Sequence, residues 1–265
     1  MSIHRVMSTV QSAQSTMKSA IAILLLFSAT CVSAFAATST DFHTFVPSLS
    51  SDSESIRTWA LEQLKKIPPQ DLDAQLKADL QSPHPNAALK VIRTLQQTSS
   101  LESVMSLAHK HPSTETYETL RSLLTPQNQN TISSLISQQL ASDEAKLTSG
   151  AVIVGLEILS LSSVDLPVTT ARHFLTDKSY EVRIALVSYL RGLIKEGKTQ
   201  PYLPLISDAL VSSPYQLRLE AIEVAELLSK TQLSSLSSSL TKCSSDQNPE
   251  VQQKCKALIA KREGS

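Results

Sequence analysis

Aromatic residues make up only 4% of this 265-residue chain, with a single tryptophan, and glycine occurs five times. That is too few for the glycine turns of a nucleotide-binding α/β unit or the aromatic-rich turns of a sandwich or barrel. Neither sign of charge is in excess, since Lys+Arg and Asp+Glu both number 24, so nothing favours a general attraction to nucleic acid or an anionic membrane. Catalytic and metal motifs are missing as well. There is no G-x-S-x-G, no H-E-x-x-H and no cysteine pair at zinc spacing, and Ser239-Leu-Thr-Lys242 lacks the companion motifs that would make an S-x-x-K catalytic. The reading is therefore a chain that is not an enzyme and carries no cofactor or metal. What it does have is 41% hydrophobic residues, enough for a core, in a composition that leans all-helical.

The first 36 residues contain no acid, carry Arg5 and Lys18, run without a polar residue from Ala20 to Phe27, and reach Ala34-Phe35-Ala36. A charged start, a short apolar stretch and a small-x-small site predict a secretory signal peptide over 1–36, cut after Ala36, with Met17 as a possible true start. The apolar run is short of the ~20 residues a membrane span needs, so no span is expected in the mature chain. Export to a periplasm or the cell exterior follows, the alternative being an anchor formed by an uncleaved N-terminal segment. Cys31 does not fit a lipoprotein signal, because Ser28 and Thr30 precede it.

From Ser51 onward one helical pattern returns. In DKSYEVRIALVSYL, Val182, Ala185, Leu186 and Leu190 share a face at 3.6 residues per turn. The same frame fits Ile56/Ala60/Leu64, Ala87/Val91/Leu95, Thr116/Leu120/Leu124, Ala151/Gly155/Leu159, Leu217/Ala221/Ala225 and Val251/Cys255/Ile259, starting 29 to 35 residues apart. All twelve prolines fall outside these seven frames, several just ahead of one, as in Ser213-Pro214 and Asn248-Pro249, where Ser or Asn could cap a helix that starts with Pro. A second apolar helical pattern lies between successive frames, for example Ile132/Leu135/Ile136/Leu140 and Leu203/Ile206/Leu210. Each repeat is thus a helix pair too small to hide its own apolar stripe, and stacking buries it.

The runs D177-K-S-Y-E-V-R-x-A-L, S51-D-S-E-S-I-R-x-x-A and S213-P-Y-Q-L-R-x-x-A resemble the second helix of HEAT repeats, with a short period similar to the bacterial phycobilisome-lyase-like type. At Thr116 and Ala151 the Val-Arg pair is missing, which suggests irregular repeats or a bend. The resemblance implies a right-handed α-solenoid of about seven HEAT-like helix pairs over 51–265, preceded by a lead-in segment over 37–50. It also implies that Asp177 and Arg183, like Asp52 and Arg57, form a structural ladder along the stack, and that the protein serves as an interaction scaffold.

A partner, an unidentified protein or peptide rather than nucleic acid, is expected on the concave face lined by second helices. Positions six and nine residues into the frames would point there: Glu62, Lys65, Arg93, Gln96, Glu157, Ser188, Arg191, Glu223 and Glu226. Five residues in stands an apolar row, Leu61, Ile92, Leu156, Val187 and Ile222, which is either packed between repeats or an open groove for a peptide or helix. His109-Lys110-His111 reads as a solvated turn ahead of Pro112. Two alternatives stay open: an accessory, lyase-like carrier of a small molecule or modified protein, and a structural envelope protein. Cys243 and Cys255 are a possible disulfide, which export permits. Against it, Cys255 would lie about 10 Å down a helix starting at Asn248-Pro249, and bridged Cα atoms are usually within ~7 Å.

Overall fold

A computed structural model describes residues 41–142, 147–162 and 164–264. The expected signal peptide over 1–36 and the first residues of the lead-in lie outside them. Among the described residues all regular structure is helical. Backbone contacts divide the chain between Leu76 and Lys77.

In the N-terminal part, the lead-in forms two 3-10 turns, Phe42–Thr44 and Pro47–Ser50, followed by α1 (Glu54–Leu64) and the start of α2 (Pro69–Leu80). Phe42, Phe45, Ala60, Leu64, Leu72 and Leu76 are buried, with Phe45 edge-on to Trp59 at 5.8 Å between ring centroids. The second 3-10 turn packs on α1, so the lead-in stands in for the first helix of a pair. Ile56, expected in the core, is 45% exposed. Its whole neighbourhood, 54–58, is exposed, because the two short turns are not long enough to cover the first turns of α1.

From Lys77 onward come α3 (Asn86–Leu95), α4 (Leu101–Lys110), α5 (Thr114–Ser122), α6 (Gln129–Leu140), α7 (Ser149–Ser160), α8 (Val168–Leu175), α9 (Tyr180–Lys195), α10 (Leu203–Ala209), α11 (Tyr215–Ala225), α12 (Lys230–Ser235), α13 (Ser237–Cys243) and α14 (Pro249–Glu263). Second helices pack in succession, α3 on α5, α5 on α7, α7 on α9, α9 on α11 and α11 on α14, while α4, α6, α8, α10 and the α12–α13 pair form the other layer. Val91, Leu120, Leu159, Leu186, Leu190, Ala221 and Val251 are all buried in the frame the sequence defines. Burying each Leu, Ile or Val contributes roughly 1.5–3 kcal/mol, shared between contacts within a pair and contacts to neighbouring pairs.

Helix starts follow local chemistry. Ser113, Thr148 and Ser179 each accept a hydrogen bond from the amide three residues on, Asn248 accepts from Glu250 and Val251, and Ser229 forms a reciprocal capping box with Gln232. Ser213 does not cap α11, contrary to the expectation. Pro214 stands at the cap position and the Ser213 carbonyl is taken up elsewhere. The two repeats lacking Val-Arg are ordinary helix pairs. Glycine allows close approach around them: a Cβ on Gly150 of α7 would lie 2.6 Å from Thr114 Oγ1 of α5, and one on Gly192 of α9 3.1 Å from the Ser160 carbonyl oxygen at the end of α7.

Candidate functional site: the second-helix face

Most of the residues singled out as facing a partner are used first to join repeats. Arg93 of α3 meets Glu118 of α5, and Arg121 of α5 meets Glu157 of α7. Arg191 of α9 donates to Glu220 at 2.8 Å and to Glu223 at 2.7 Å, both on α11. Each guanidinium therefore reaches one helix pair ahead, and each pair is only half-buried, so both partners keep free hydrogen-bonding capacity toward solvent. Ser188 is exposed and interrupts the row between Glu157 and Arg191. Gln96 is exposed and closes α3 in a left-handed conformation, φ 51°. Glu226 is exposed, and its carbonyl accepts from Lys261 of α14 at 2.5 Å. In the N-terminal part Glu62 and Lys65 pair with each other at 3.0 Å.

The ladder expected from Asp177 and Arg183 takes another form. Asp177 accepts from the Ser179 amide at 2.7 Å, ahead of α9, and makes no ion pair among the described residues. Arg183 donates to the Ser213 carbonyl at 2.7 Å, in the turn before α11. Arg57 likewise reaches carbonyls, those of Ser51 and Asp52, and not the Asp52 carboxylate. Among the described residues the one complete rung is Arg218 to Asp246, where the arginine one place after the frame start meets the acid five places before the next frame. The rung requires an acid at that place; before α11 it is occupied by Ser212, so Arg183 settles on a backbone oxygen.

The apolar row is packing. Ile92, Leu156, Val187 and Ile222 are buried between successive helices and Leu61 is half-buried, which leaves no open apolar groove there. His109 and Lys110 form the last turn of α4 rather than a loop, with His109 Nδ1 3.4 Å from Gln139 Nε2. Among the described residues no three His, Cys, Asp or Glu side chains gather as a metal site would require. The Ser239 hydroxyl is committed to Ser207 at 2.7 Å. On the other layer, α6 and α8 leave a cleft of about 500 Å³ lined by residues that include Val152, Thr169, His173, Phe174 and Asp177.

Cys243 and Cys255 are joined in a disulfide with Cα atoms 5.8 Å apart. The distance objection fails because α13 does not stop at Cys243. Hydrogen bonds from the amides of Ser244, Ser245 and Asp246 back to Leu240, Lys242 and Cys243 carry the chain on past the helix end. The chain reverses beyond Asp246, so six residues of α14 return Cys255 to the level of Cys243.

No family model matches the sequence, and no curated protein does. Among solved structures, an engineered protein aligns over 84% of this chain and 68% of its own, at 14% identity and a TM-score of 0.52. The fold is an α-solenoid. A second engineered protein (84% of this chain, 96% of its own, 14% identity, TM-score 0.41) and a designed armadillo repeat protein in complex with the peptide (KR)4 (84% and 99%, 15%, 0.39) are also similar to it. Among the described residues no helix is long and apolar enough to cross a membrane.

Proposed function

We propose that this α-solenoid is an exported, noncatalytic scaffold that holds an extended segment of another protein against its second-helix face. The observation that carries the reading is the row of half-exposed guanidinium–carboxylate pairs, Arg93–Glu118 and Arg121–Glu157 at the successive α3–α5 and α5–α7 junctions and, after a gap at α7–α9, Arg191–Glu220/Glu223 at α9–α11. Packed helices lie roughly 8–10 Å apart, and three residues of extended chain span about 10 Å. An extended chain laid across the helices thus advances about three residues per pair, with amides and carbonyls able to share the charged groups. The charges are spread along a face and matched to one another instead of converging on one pocket, which favours a binding surface over a catalytic centre. Export is supported by the signal-like N-terminal stretch and by a disulfide, which persists in oxidising compartments.

The test is chemical cross-linking and affinity recovery of the full chain from the envelope fraction, alongside Arg191→Gln/Glu223→Gln. A stoichiometric protein partner that the double variant loses, with helicity and melting kept, is the expected result. A partner retained by the variant would move the site off this face. The cleft between α6 and α8 favours a second reading, a small-molecule carrier, and a metabolite or chromophore recovered in place of a protein would select it.

A further inference from the structure

Helix α14 packs on α11, α12 and α13, and the bridge ties it to the end of α13. The two bridged residues are unequally placed. Cys255 sits in the core of α14 with no exposed surface, whereas Cys243 keeps 2% and lines an open cleft of about 330 Å³ between the ends of α10 and α13. Arg218, Lys242 and Asp246 share that cleft. The Arg218 charge is matched by Asp246, but Lys242 is exposed and makes no ion pair among the described residues, so the cleft carries an uncompensated positive charge.

We propose that the Cys243–Cys255 disulfide is an exchangeable clasp, opened from the Cys243 side by the thiolate of a small thiol or of a dithiol oxidoreductase entering this cleft. The incoming thiolate sulfur bonds to Cys243 Sγ as the Cys243–Cys255 S–S bond breaks, and the electron pair leaves on Cys255 Sγ, which takes a proton from water. The product is a mixed disulfide at Cys243 and a neutral thiol at Cys255, where a reduced cysteine packs as a small apolar side chain. A second thiolate then attacks the incoming sulfur and releases Cys243, so the two thiols are oxidised to a disulfide and the clasp is reduced. Access selects the sulfur attacked, and Lys242 gathers the anionic attacker.

The oxidised full-length chain is to be treated with 2-mercaptoethanesulfonate, an anionic thiol, or cysteamine, a cationic one. Reactions are quenched in acid, unfolded and alkylated before peptide mapping, with rates compared per unit of thiolate. The expected adduct is on Cys243, with Cys255 alkylated, and the anionic thiol is several-fold faster; this preference falls toward unity in Lys242→Gln and in high salt. An adduct on Cys255, a rate with the same denaturant dependence as global unfolding, or a preference unchanged in Lys242→Gln would overturn the proposal.

Discussion

Arg218 on α11 holds Asp246, ahead of α14, in a two-point contact: Nη2 donates to Oδ1 at 2.9 Å, while Nε lies 2.7 Å from Oδ2, outside hydrogen-bonding alignment. The side chains are 18% and 11% exposed, making this the most sheltered ion pair between repeats. Burial alone would raise the Asp246 pKa. The hydrogen bonds from Arg218 and from the Asn248 amide, with the guanidinium charge, outweigh burial and hold the carboxyl below the usual aspartate range. The folded-state pKa is depressed, so the contribution is complete above the unfolded value of about 4 and is lost as pH falls through the lower folded value. Asp246→Asn should cost about 1.5–3 kcal/mol at neutral pH. In urea titrations this deficit should shrink as pH falls below about 4; a constant gap would mean that packing, not charge, causes the loss.

The half-exposed rungs should behave differently. Arg191→Gln removes contacts to Glu220 and Glu223 but should change unfolding free energy by less than about 1 kcal/mol, because water screens such pairs. Its larger effect is expected on partner affinity, measured by titration calorimetry once a partner is in hand.

At the alkaline end, burial pushes the phenols of Tyr117, Tyr189 and Tyr202 upward. Raised folded-state values mean stability that is full below the unfolded pKa of about 10 and declines as pH climbs toward the folded values. Of the five tyrosines, these three should develop tyrosinate absorbance only as helical circular dichroism is lost. Ionisation of all five with the helix signal intact would contradict their burial.

Tyr189 also pins the segment ahead of α8, accepting from the Leu166 amide at 2.7 Å and donating to the Val164 carbonyl at 3.2 Å, with Tyr202 donating to the Leu166 carbonyl at 2.7 Å. Tyr189→Phe should cost about 1–3 kcal/mol by leaving that backbone unpaired, and faster amide exchange at Leu166 should report the loss.

Substitutions at two packed positions test the stacking. Leu190→Ala should cost about 2–5 kcal/mol, and Leu190→Asp should unfold neighbouring pairs together. Gly192→Val should cost about 1–3 kcal/mol by wedging α9 from the Ser160 backbone. Unchanged melting in either series would show that these contacts do not hold the repeats together.

The repeat was legible because burial at 3.6-residue spacing leaves the same mark in every pair, as at Val182 and Leu186. The pairing of charges was not. Arg93 and Glu118 are 25 residues apart and Arg121 and Glu157 are 36, so no fixed spacing announces that they meet. Residues such as Glu118, Arg121 and Glu220 were missed for that reason; a search for opposite charges one repeat apart would have raised them. Sequence placed Arg191 and Glu223 on one face but could not show that they satisfy each other. The cysteine pairing stayed open in the sequence because a helix end was taken as the place where the chain reverses, and the extra turn through Asp246 supplies the missing rise.

The ladder also has a kinetic meaning. Its rungs and the contacts between second helices link only neighbours in sequence order, so the chain meets its partners within a few dozen residues and has little topology to search. Short loop closures place it among rapid folders despite its length. Growth can begin at the apolar α7–α9 junction and run outward toward both ends, one helix pair at a time.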